Sequence, residues 1–187
     1  MYSLSGRLNY FGYNMFWAFG ICALLNHLQT RFGYLVSPTL GSPVELDKAD
    51  VSFQVRELET FMHDKFLDEE ALAFSFDLHV DLNSVISWNT NQIFLSLVCE
   101  FEQAQGTSSI TVWDQRITRP DSKNHVLALE NEYLEYFVTD MTKQLKNKDL
   151  KLYLKWEAMS TVGFYYHDMV EVGSYRVPEN YNTVGRK

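Results

Sequence analysis

The sequence predicts an all-β domain, an antiparallel β-sandwich-like body, preceded by a single N-terminal α-helix. Three observations predict it. Apolar and polar residues alternate at period two in several runs, the mark of strands with one buried face. Aromatic residues are abundant, with 13 Phe, 11 Tyr and 4 Trp among 187 residues, and such side chains pack well on a pleated surface. Charge is absent from Leu8 to Thr30, with Arg7 before the run and Arg31 after it.

The elements follow in order. Residues 1–7 form a short leading segment, and residues 8–30 an apolar helix of a length that can span a bilayer. Its firmly apolar part, Tyr10 to Leu25, would be only about 24 Å long at the helical rise. That is short of a hydrocarbon core of roughly 30 Å. Asn9, Asn14, Asn26 and His27 interrupt it, and Gly12 and Gly20 lower its helix propensity. A signal anchor is the favoured reading. A cleaved signal would need a small-residue cleavage site, and none convinces after Ala23. A soluble helix would need a partner helix. Asn9, Asn26 and His27 are read as lying at the water boundary, while Asn14 is open between that and contact with a neighbouring helix.

Residues 31–49 read as a linker, with Pro38, Gly41 and Pro43 breaking any helix. The β-domain is expected over residues 50–178, with a polar tail at 179–187. Val51, Phe53 and Val55 alternate in a first strand. Glu57 to Glu70 carries Leu58, Phe61, Met62 and Phe66 at helical spacing, and reads as a helical turn or an ordered loop. Leu72 to Leu82 and Ile93 to Phe101 are two further alternating strands. Between them lies a polar corner holding Trp88, Asn89 and Gln92, whose short side chains bond readily to nearby backbone.

Gln103 to Ser109 reads as a turn, and Ile110 to Thr118 as a strand containing Trp113 and Asp114. After the turn at Arg119–Asn124, Val126 to Leu129 and Tyr133 to Val138 are short strands. Lys143 to Asp149 is a polar connection. Leu150, Leu152, Leu154 and Trp156 alternate with Lys151, Tyr153, Lys155 and Glu157, the clearest half-buried strand in the chain. Thr161 to Val172 and Tyr175 to Val177 are extended.

The search for chemistry is mostly negative. A net charge of −8 without a basic block argues against nucleic-acid binding. No phosphate-binding glycine loop or zinc-type Cys/His spacing occurs. Asp77, His79 and Asp81 share one strand face, but such neighbours stand nearly 7 Å apart and do not converge on one ion without a bend. They read as a polar sheet face. No serine is singled out by a neighbouring base. Catalytic, cofactor-binding and metal residues are therefore expected to be none. Cys22 and Cys99 lie in the apolar helix and in a strand, so no intrachain disulfide is expected. Exposed aromatics such as Phe164, Tyr165 and Tyr166 are candidates for a partner surface, with a place in the core as the alternative.

The stretch Asp81-Leu82 through Trp88-Asn89, Gln92 and Phe94-Leu95 to Leu97 resembles the lumenal domain of signal peptidase complex subunit 3. Further motifs agree in order. Arg7-Leu8-Asn9 is similar to a leading R-x-N. Val112-Trp113-Asp114 is similar to a V-x-L-W-D-K strand, with Gln115 in place of lysine. Leu152, Leu154 and Trp156 are similar to an L-x-L-x-W strand, and Val177-Pro178 to a closing V-P. Many members carry a glycosylation sequon before the L-x-L-x-W strand. Here Asn147-Lys148-Asp149 lacks the hydroxyl, so no glycan is carried over.

The resemblance implies a non-catalytic accessory subunit without a cofactor. It further implies a single-pass type II protein of the endoplasmic-reticulum membrane, with its C-terminal domain in the lumen. The implied partners are a catalytic serine peptidase subunit and other small membrane subunits. Two alternatives stand beside it: a stand-alone membrane-anchored β-sandwich for binding or adhesion, and a hydrolase.

Overall fold

The computed structural model describes residues 3–36, 46–63, 69–86, 89–103, 106–118, 126–140, 144–161 and 165–179. Trp88 and Phe164 lie outside the described residues. Among the described residues, one helix, α1 (Leu4–Val36), precedes a 3-10 turn at Lys48–Asp50 and eight strands. These are β1 (Val51–His63), β2 (Glu69–Asp81), β3 (Thr90–Gln103), β4 (Gly106–Thr118), β5 (Val126–Tyr133), β6 (Val138–Asp140), β7 (Asp149–Ser160) and β8 (Tyr166–Arg176). All of their pairings are antiparallel.

Helix α1 runs beyond both ends of the expected 8–30 segment. The Ser3 hydroxyl accepts the Gly6 N–H at 3.2 Å and caps its start. It ends at Val36, next to Ser37-Pro38, where a residue before proline avoids helical backbone. Side chains from Leu8 to Phe19 are exposed all round, including Phe11, Phe16 and Trp17. Among the described residues no helix is long and apolar enough to cross a membrane. The expected span is thus matched in helical form and not in hydropathy. The asparagines, glycines and tyrosines of the segment are the reason. Asn14 donates to the Tyr10 carbonyl at 2.9 Å, satisfying one of its N–H groups within its own helix.

The strands form two four-stranded sheets. In one, β2 is central, with β1 on one side and both β5 and β6 on the other. The other has the order β4-β3-β7-β8. Alternation explains the core between them. Phe74, Phe76, Leu78 and Val80 of β2 are buried, as are Ile93, Leu95, Leu97 and Cys99 of β3 and Leu150, Leu152, Leu154 and Trp156 of β7. The sheets meet face to face where the Phe76 ring packs edge-on against Trp113 of β4, with centroids 5.8 Å apart. Phe53 of β1 approaches Gly173 of β8 on the other side of the sandwich, 3.7 Å from the position a β-carbon would take. Cys99 is buried, and burial together with nearby Glu100 pushes its thiol up to about 12, so it stays neutral. Cys22 is exposed on α1.

Four sequence expectations are corrected. The segment after Arg56 continues β1 as far as His63, where a helical turn or loop was expected. A register shift between Val55 and Glu57 changes the parity of the strand. Apolar residues then fall at 51, 53 and 55 but at 58 and 62, with Phe61 out of step between them, a spacing that imitates a helix. Gln103 and residues 106–109 belong to strands rather than a turn, with Gln103 paired to Gly106. Gly106 takes a φ of 139°, which L side chains avoid. Only Tyr133 and Val138 lie in strands. The four residues from Leu134 to Phe137 form a bridge instead. Finally, β8 is continuous from Tyr166 to Arg176.

Candidate functional site

The polar corner between β2 and β3 is built from local hydrogen bonds. The Asp81 carboxylate accepts the Asn83 N–H at 2.9 Å, and the Leu82 carbonyl accepts from Val85 and Ile86 at 3.0 Å each. Buried Asn89 accepts the Thr161 N–H at its carbonyl, at 2.8 Å. Gln92 donates its amide to the Met159 sulfur. The corner leaves β2 of one sheet and is tied to the end of β7, the neighbour of β3 in the other.

The three aromatic motif positions separate. Trp113 and Trp156 are buried, at 3% and 1% exposure, while Trp88 is outside the described residues. Asp114 is half-buried and stands opposite Ser96 in the β3–β4 ladder.

Asp77, His79 and Asp81 do not converge on a ligand. Asp77 forms an ion pair with Arg56 and accepts the Asn131 N–H at 2.8 Å. Both partners sit at bulges: Arg56 is the extra residue of β1, and Asn131, with a φ of 52°, lies in the bulge of β5. One carboxylate on the central strand thus holds the irregularities of both its neighbours. The Asn131 N–H first, and then the Arg56 guanidinium, hold its carboxyl below the usual carboxylate range. A depressed folded pKa gives stability that is present above the ordinary value and lost as pH falls through the folded one. Asp77→Ala is expected to lower the denaturation midpoint at pH 6, and the gap from the parent chain should close toward pH 3. A gap that stays constant over that range would assign the effect to packing instead. The loss should be small beside that of a core truncation, because the pair is exposed to water.

The two described residues of the expected partner surface behave differently. Tyr165 is 61% exposed and stacks on His167, with ring centroids 5.5 Å apart. Tyr166 turns to α1. Its ring lies flat against His27, centroids 6.0 Å apart at 6°, and its hydroxyl meets Nδ1 of His27 at 2.9 Å. His27 is thereby a point where the helix touches the β-domain. A cleft of about 320 Å³ lies beside the β3–β4 hairpin, lined by Glu100, Glu102, Lys148, Asp149 and Lys151 among others. Charges of both signs intermingle there.

A different surface was not foreseen. Val112 is the extra residue in β4, since Leu97 pairs with Trp113 and Val98 with Thr111. The bulge puts neighbours Val112 and Trp113 both into the core. On this edge strand the Val112 carbonyl accepts the N–H groups of Glu135 and Tyr136 at 3.0 Å each. Leu134 is buried and donates its N–H to the Phe74 carbonyl at 3.4 Å. The bridge 134–137 is thus fastened to both sheets. It holds Tyr136 and Phe137 at 53% and 43% exposure, with Tyr133 at 61% beside them. The alternation of Tyr133 to Val138 looked like a strand, and the only sequence signal for a surface was the density of rings among glutamates.

Known proteins place this architecture. Residues 1–180 match the family described as signal peptidase subunit. Signal peptidase complex subunit 3 of Saccharomyces cerevisiae is 27% identical over 91% of this chain and 94% of its own length. That of Dictyostelium discoideum is 25% identical over 80% of this chain and 85% of its own. The Drosophila melanogaster protein of the same name is 34% identical over 48% of this chain and 50% of its own. With the match running from the first residue of the helix segment through the last strand, the chain belongs to the signal peptidase subunit family.

Proposed function

We propose that this chain is a non-catalytic accessory subunit of the endoplasmic-reticulum signal peptidase complex, scaffolding the catalytic serine peptidase subunit during removal of signal peptides. The observation that carries this reading is the family match across both the helix and the whole β-domain. The build of the β-domain supports a scaffolding role. Its interior is filled with aliphatic and aromatic side chains, and Asp77 and Asp81 are committed to holding backbone.

In the same reading, residues 8–30 anchor the chain as a single-pass type II membrane protein. Residues 1–7 then stay in the cytosol, 31–49 link, and 50–178 form the lumenal domain ahead of the 179–187 tail. The all-round exposure of large apolar side chains on α1 supports this, since such a helix must be covered by lipid or by other helices. Its aromatic content suits the interfacial belts of a bilayer. His27 would then stand near the lumenal surface, where it holds Tyr166.

The test is purification of the tagged full chain in mild detergent. Co-purification of a serine peptidase of the signal peptidase type, at a fixed stoichiometry, is the expected result. A lone monomer would overturn the reading and favour a self-standing binding module.

A further inference from the structure

We propose that Tyr133, Tyr136 and Phe137 form a docking ridge for a protein partner that presents an apolar pocket rimmed by lysine or arginine. The inference rests on the chain being a subunit of a larger complex. It adds where on the β-domain a partner sits and what chemistry that partner carries.

Three observations point there. The first is exposure: among the described residues of the β-domain, these rings are three of the few large apolar side chains left largely in water. Exposed aromatic clusters are costly to leave uncovered, and tyrosines are enriched where interfaces carry their binding energy.

The second is pre-organisation. Tyr136 and its neighbours do not ride on a free loop. The Phe74 carbonyl of one sheet holds Leu134, and the Val112 carbonyl of the other holds Glu135 and Tyr136. The bulge in β4 supplies the second acceptor. A ridge already held in place loses little entropy on binding.

The third is charge. Residues 126–140 contain Glu130, Glu132, Glu135 and Asp140 and no lysine or arginine. The three glutamates are exposed. Rim charges of one sign select a partner of the other and speed its approach.

The ridge stands away from the helix contact. Tyr166, which meets His27, belongs to β8, while the ridge is fastened to β4, at the opposite edge of the sheet. Three strand spacings, about 14 Å, separate those edges. The ridge and the helix contact thus lie at different edges of that sheet.

The test places the photo-crosslinking residue p-benzoylphenylalanine at Tyr136 in the full chain, followed by purification in mild detergent. A crosslink to a different polypeptide is expected. A chain carrying Glu130→Lys, Glu132→Lys and Glu135→Lys is expected to keep its thermal midpoint and to recover the partner about tenfold less well. Tyr136→Ala should weaken recovery in the same direction, and high salt should mimic the triple change.

Crosslinking only to lipid or to a second copy of this chain would overturn the inference. So would full recovery of partners by both variants. If the unsubstituted chain recovers no peptidase at all, the proposed function fails first and this inference falls with it. Unsubstituted recovery with insensitive variants rejects the ridge alone.

Discussion

Phe76→Ala is expected to lower the unfolding free energy by about 3–5 kcal/mol, the usual cost of deleting a fully buried ring and leaving a cavity. Phe76 has no exposed surface. Its ring lies 5.6 Å from that of Phe53, 6.3 Å from Phe74 and 5.8 Å from Trp113. It therefore touches rings of both sheets, and its loss cannot be mended by the collapse of one neighbour. Domains of this kind have only about 5–15 kcal/mol in total, so a large share would go. Denaturant unfolding of the full chain in mild detergent, followed by tryptophan fluorescence, measures it. Trp113, packed on Phe76, and Trp156 are both buried in this core and contribute to that signal. Tyr136→Ala is the contrast, because an exposed ring should change stability by no more than about 0.5 kcal/mol. A Phe76→Ala loss below about 1 kcal/mol would contradict the face-to-face packing described above.

The second large effect concerns α1. Phe16 and Phe19 are 74% and 65% exposed. Replacing both with Asp is expected to move the chain from the membrane pellet to the supernatant on alkaline carbonate extraction. Each carboxylate at the middle of a membrane helix costs about 3 kcal/mol against a slightly favourable phenylalanine. For a span already weakened by Asn9 and Asn14, the sum is decisive. Equal retention of both chains in the pellet would show that something other than this helix holds the protein there. Release of the unsubstituted chain would contradict the anchor directly.

Most strands could be read from local pattern. Leu72 to Leu82, Ile93 to Phe101 and Leu150 to Trp156 alternate because the pleat sends successive side chains to opposite faces. Their burial follows that alternation. Where the reading failed, a bulge was usually present. One extra residue at Arg56 shifted the phase of an alternating run, and Phe61 between Leu58 and Met62 gave the remainder a helical appearance. Gly106 to Ser109 failed for another reason: four small or polar residues carry no alternation, and their pairing with the end of β3 makes them a strand. The exposure of the aromatic run at 165–166 was legible only in part. Tyr165 is exposed as a surface residue would be, but Tyr166 is committed to His27, far away in sequence.

By itself the sequence determined that this is an all-β domain behind one helix, which residues fill its core, and which family it resembles. Each of these rests on local periodicity or on short motifs, which are properties of neighbouring residues. Tertiary structure alone decided the order of strands in two sheets, the joining of β1's irregularity to β5's through Asp77, and the ridge at Tyr133, Tyr136 and Phe137. The physical reason lies in the bulges. A bulge is a mismatch of count between two strands, so neither strand's own sequence contains it. At Val112 the extra residue lies on the edge strand β4, and its carbonyl holds Glu135 and Tyr136 in an exposed bridge where a strand was expected.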